Sequence, residues 1–166
     1  VYARIDPFYR AVAVPFVQRV EPYRALVPVV IRIGLGFSFV YLGISQKLMN
    51  PGNATAVVAK YNLTAVVPVS PELWVVGAGL TEAAVGTLLI VGAFTRAASA
   101  VAFLLFTTTL FGLPDDPVLA HISLFGLASA LLVTGAGAWS VDAWLGEQRL
   151  SAAEWVESVS GRERAT

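Results

Sequence analysis

Apolar residues in this chain come in runs rather than in alternation. From Tyr23 to Met49 the only charges are Arg24, Arg32 and Lys47, and from Leu73 to Phe94 there is only Glu82. Ala97 to Leu113 has none, and Pro117 to Trp139 has none if His121 is neutral. Each run approaches the ~20 residues with which a helix spans a bilayer. The pattern predicts an all-α integral membrane four-helix bundle with spans at about 28–48, 73–94, 96–113 and 117–138.

Before the first span, Phe8, Val12, Phe16 and Val20 recur every four residues, while Arg10, Arg19 and Arg24 supply charge. Residues 1–27 therefore read as an N-terminal interfacial helix, opened by Asp6 and Pro7 and interrupted near Pro15 and Pro22. An irregular linker to an upstream domain of the same chain is the alternative. The membrane domain covers 28–144 and a tail covers 145–166. In the tail, "SAAE" is a capping box that would start a short amphipathic helix at Ser151.

An even number of spans puts both termini on one side, together with Arg4, Arg10, Arg19, Arg24, Arg96 and Arg149. Lys47, Lys60 and the Asp115–Asp116 turn fall on the other. The positive-inside bias then places the termini in the cytoplasm of a cell-membrane protein, and the 49–72 loop outside. That loop carries two formal glycosylation triplets, at Asn53 and Asn62.

Composition narrows the chemistry. Hydrophobic residues make up 57% and charged residues 13%, about half the share usual in a soluble domain. The net charge is zero and no polybasic run exists, which argues against nucleic acid and leaves the lipid bilayer as the main partner. Without cysteine, and with His121 as the one histidine, thiolate metal sites and bis-histidine haem are excluded, and no metal or haem is indicated. Gly34, Gly36, Gly43, Gly79, Gly86, Ala98, Ala102, Gly126 and Ala130 read as helix–helix seams. "GAGLTEAAVG" lacks the strand-and-helix setting of a nucleotide loop.

Glu82 is the residue that needs a reason. A central charge costs roughly 2.5–3.5 kcal/mol on insertion scales, so Glu82 either stays protonated or pairs with a donor on a neighbouring helix. At ~1.5 Å per residue it lies roughly 14 Å below the outer end of its span. Tyr41, Thr107 and His121 fall in the same outer half, with Lys47 at its mouth. A polar pocket of Glu82 and His121 as proton carriers, with Tyr41, Thr107 and Lys47 as binding groups, is one reading. In the other, Glu82 clamps helices, Tyr41 is filler, and the "FTTTLFG" threonines bond back to their own helix. Arg32 lies in the inner half, where it would snorkel to headgroups or stretch toward Glu82.

Three segments in order carry a family resemblance: "RIGLGFSFVYLGISQKL" at 32–48, "GLTEAAVGTLLIVGAFTRAAS" at 79–99 and "DPVLAHISLFGLASALLVTGAGAWSVDA" at 116–143. With Gly43, Lys47 and Leu48, then Glu82, Gly86, Gly92, Thr95 and Arg96, the chain resembles the DoxX-like proteins. The resemblance implies a four-helix membrane bundle. It also implies a place beside the small subunits of archaeal thiosulfate:quinone oxidoreductase, hence a prokaryotic oxidoreductase subunit with a quinone as candidate cofactor. A partner protein or a homo-oligomer would supply what the chain lacks, above all an electron carrier. Some prokaryotic relatives are longer chains ending in this unit. A non-catalytic scaffold and a small-solute or proton pathway are the alternatives.

Overall fold

The computed structural model describes Pro7 and residues 9–113 and 118–148; the side chains of 118–121 stand outside that description. It is helical almost throughout, and no strand occurs among the described residues. A helical rod runs from Tyr9 to Met49 without a break. It opens with a π-helical turn, Tyr9–Ala13, followed by α1 (Val14–Val20), a 3₁₀ stretch (Glu21–Leu26), α2 (Val27–Tyr41) and a second π-helical stretch, Leu42–Met49. Then come α3 (Pro51–Lys60), a 3₁₀ turn (Leu63–Ala65), α4 (Pro71–Val91), α5 (Thr95–Gly112) and α6 (Val118–Thr134). Residues 141–148 are helical again.

Pro15 and Pro22 do not interrupt the rod as expected. Each falls in the first two positions of a new helix type, where its missing N–H removes no bond the ladder needs. The chain changes helix type there and stays helical. None of the residues from Tyr9 to Leu26 is buried, so this part of the rod stands clear of the packed helices. Asp6, and the capping box at Ser151, lie outside the described residues.

Among the described residues three helices are long and apolar enough to cross a membrane: Tyr9–Met49, Pro71–Val91 and Thr95–Gly112. Ile122–Thr134 forms a shorter apolar segment within α6. Val30, Phe37, Leu80, Leu104, Phe111 and Val133 point outward and are exposed, the inverse of a water-soluble surface. Lipid is the solvent these faces fit.

Local chemistry sets the ends. Ser70 Oγ accepts the Leu73 N–H and Pro71 follows it, which starts α4. Gly92, left-handed at φ 70°, ends it: Ala93 N–H bonds to Leu88 O at 2.9 Å and Gly92 N–H to Leu89 O at 3.2 Å.

Helix α4 packs on α2 and on the π stretch, and α5 packs on both α4 and α6; α6 returns to α2. Leu35, Phe39, Val85, Leu89, Ala98, Ala102, Phe106, Ala128 and Leu131 form the core between them. Phe106 stacks at its centre, 5.1 Å from the Phe39 ring and 5.6 Å from that of Phe125.

The α2–α4 seam is built on glycine pairs seven residues apart on each helix. A Cβ on Gly36 would stand 2.6 Å from Gly86 O, and one on Gly86 would stand 2.5 Å from Gly36 O. Gly43 and Gly79 repeat the arrangement. Gly34 and Gly126, expected on seams, meet nothing within 4 Å. The 49–72 segment is also more ordered than a loop: α3 lies against α4 and the π stretch and buries Val58. Its apolar run, Ala56 to Ala59 with Ala54 before it, is too short to register as a span, which hid the helix.

Candidate functional site

Lys47 Nζ donates to both carboxylate oxygens of Glu82, at 2.8 Å to Oε1 and 2.7 Å to Oε2. The side chains are 22% and 16% exposed, so the pair is mostly withdrawn from the surroundings. Of the two sequence expectations for Glu82, pairing is the one observed. Lys47 is more than a residue at the mouth of a pocket.

The local fold explains the reach. Lys47 sits on the π-helical stretch Leu42–Met49, whose wider turn shifts the residues around the axis relative to an α-helix. At the same level Gly43 meets the α4 backbone: a Cβ there would stand 2.5 Å from Gly79 O and 3.1 Å from Glu82 Cβ. Helices this close let a lysine and a glutamate meet head to head, and one ammonium reaches both oxygens of the carboxylate.

The other predicted site residues are not drawn into this pair. Tyr41 is 51% exposed, and its hydroxyl accepts from Gln46 Nε2 at 3.3 Å. Thr107 Oγ1 donates to Phe103 O one turn earlier at 2.8 Å, as Thr109 Oγ1 does to Leu105 O at 2.9 Å. These are the back-bonded threonines of the plainer reading. His121 lies on α6, but its side chain is outside the described residues. Among the described residues no group of three or more His, Asp or Glu is placed to hold a metal.

Arg32 neither snorkels nor reaches Glu82. It is only 2% exposed and donates through Nη1 to Leu89 O at 3.3 Å and to Ile90 O, and through Nη2 to Trp139 O. The guanidinium thus neutralises the last carbonyls of α4, where the helix dipole favours a cation. Gly92 makes room for it, since a Cβ there would stand 2.9 Å from Arg32 Nη1.

Asp142 completes this second network. Its Oδ1 accepts the Phe94 N–H and its Oδ2 the Thr95 N–H, both at 2.8 Å, while its own N–H donates to Gly92 O at 2.9 Å. A carboxylate from beyond α6 therefore caps α5. Sequence reasoning missed this, though a signal existed: Phe94, which stands at the N-cap of α5, has no side-chain acceptor. A helix start without a local cap asks for one from elsewhere.

Apolar outward faces, glycine-seamed helices and inward charges gathered in two internal networks define a helical integral membrane protein. Within that class the chain belongs to the DoxX family, whose model matches residues 27–115, just over half of its length. The match takes in Arg32, Lys47, Glu82 and Arg96 and stops short of Trp139 and Asp142. No curated protein and no solved structure is significantly similar to the chain.

Proposed function

We propose that the protein is a non-catalytic integral membrane subunit that works with a partner protein, and that the Glu82–Lys47 pair clamps its first two spans together. The observation that carries this reading is that one ammonium donates to both Glu82 oxygens across the helix crossing, beside the Gly43–Gly79 contact. A carboxylate bonded at both oxygens across a helix crossing ties the two elements together. The resemblance to small subunits of thiosulfate:quinone oxidoreductase supports the partner. In this reading α2 with its π stretch, α4, α5 and α6 each cross the membrane of the cell. The arginine-bearing ends face the cytoplasm, and the rod before Val27 lies in the interface.

A quinone-linked redox subunit is the second reading, and one feature favours it. The lysine of the pair rides on a π-helical stretch, a costly geometry that often marks ligand sites, and the pair keeps some exposure. Lys47 and Glu82 would then exchange hydrogen bonds with the quinone carbonyls, the partner supplying electrons.

Purification in mild detergent separates the two, with extraction and mass spectrometry of co-purifying lipids for wild type and Glu82→Gln. A clamp gives no stoichiometric quinone in either protein and a clear drop in the melting temperature of the variant. Stoichiometric quinone in wild type, lost from a variant that melts unchanged, would establish the redox reading instead.

A further inference from the structure

Two bulky aromatic residues sit where L-residues rarely go: Phe94 at φ 49° and Trp139 at φ 52°, both left-handed. Such backbone is unfavourable for a large side chain and persists only where its surroundings impose it. Here each is held by a charged group. Asp142 accepts the N–H of Phe94, and Arg32 donates to the carbonyl of Trp139. The result is that both rings are turned out of the protein, 70% and 78% exposed.

Beside Phe94 opens a cleft of about 490 Å³ at the end of the bundle where α4 stops, α5 starts and α6 stops. Phe94, Thr95, Arg96, Ser140 and Asp142 line it over a floor of alanine and glycine. It therefore presents one cation and one anion on an otherwise apolar wall. Thr95 Oγ1 is fully buried there with no partner. The cleft lies where the spans end, at the level of lipid headgroups.

We propose that this cleft binds a phospholipid headgroup that carries both a phosphate and a primary amine. Arg96 takes the phosphate, Asp142 takes the ammonium with its remaining lone pairs, and the exposed ring of Phe94 lies along the glycerol and upper acyl chains. A purely anionic headgroup places charge against Asp142. A quaternary amine has no N–H to give it. The assignment rests on the membrane location alone and is independent of the role of Glu82.

Native mass spectrometry of the full chain in detergent tests it, titrated with phosphatidylethanolamine, phosphatidylcholine and phosphatidylglycerol of identical acyl chains. The expected result is retention of the ethanolamine lipid with about tenfold higher affinity than the other two. Arg96→Gln should abolish the preference while lowering the melting temperature only slightly, since the exposed guanidinium makes just one long bond among the described residues, to Val133 O at 3.4 Å. Phe94→Gly should melt no lower than wild type, since glycine accepts the left-handed backbone, yet retain less lipid. Equal binding of the three lipids, preference for the anionic one, or an unchanged preference in Arg96→Gln would overturn the assignment. Competition by soluble phosphoethanolamine as strong as that of the lipid would overturn the lipid as occupant.

Discussion

Gly43 and Gly79 touch backbone to backbone: a Cβ on either would stand within 3.0 Å of the other's carbonyl oxygen. The contact lies next to the Glu82–Lys47 pair, so steric fit and charge pairing at this crossing depend on one another. Gly43→Ala should therefore cost about 3 kcal/mol, the upper end of overpacking, because backbone cannot swing aside as a side chain can. Gly34→Ala is the control. That site is open, and its helix should be unchanged or more stable by up to about 1 kcal/mol. Thermal melts of both variants in one detergent check the contrast.

A double-mutant cycle tests the ion pair. Glu82→Leu and Lys47→Met should each lower stability by about 2–4 kcal/mol, since each leaves a partner uncompensated in a largely buried place. Combining Lys47→Met with Glu82→Leu should recover most of the loss. Strictly additive effects would mean that the two residues contribute separately.

The Asp142 cap is graded rather than all-or-none. Asp142→Ala should cost about 1–2 kcal/mol, as at other caps, and Asp142→Asn less, because one acceptor oxygen remains for Phe94 or Thr95. Amide hydrogen exchange at Phe94 and Thr95 should quicken in the alanine variant, with little change at the middle of α5.

Tyr41→Phe and Thr107→Val should each change stability by less than about 0.5 kcal/mol, since neither hydroxyl ties two helices together. Loss of a co-purifying quinone in either variant would instead give these residues the binding role that the sequence suggests.

The spans were legible because lipid demands long apolar runs: 73–94 and 96–113 came within three residues of α4 and α5 at every boundary. Glu82 was legible too, as a charge where charge is costly, and its pairing was one of two outcomes open to it. What stayed hidden depends on chain distant in sequence or on helix pitch. A depth ruler of constant rise sets Lys47 well outside Glu82, and a π turn with a glycine crossing closes that gap. The Arg32 partners are backbone carbonyls, which every residue has and no sequence pattern marks. Asp142 caps a helix whose start lies 47 residues earlier, beyond any local motif.

That separation also fixes an order of events during synthesis. The Glu82–Lys47 pair and the glycine seam can form once α4 has left the ribosome. The first N–H groups of α5 wait longer, for the Asp142 carboxylate, and Arg32, though it can already donate to the carbonyls of Leu89 and Ile90, waits for the carbonyl of Trp139. Until those residues emerge, the α4–α5 turn must be satisfied by water. The nascent chain therefore commits the Lys47 end of its first helix pair early, and seals the Arg32 end in a last step that only the finished segment after α6 can perform.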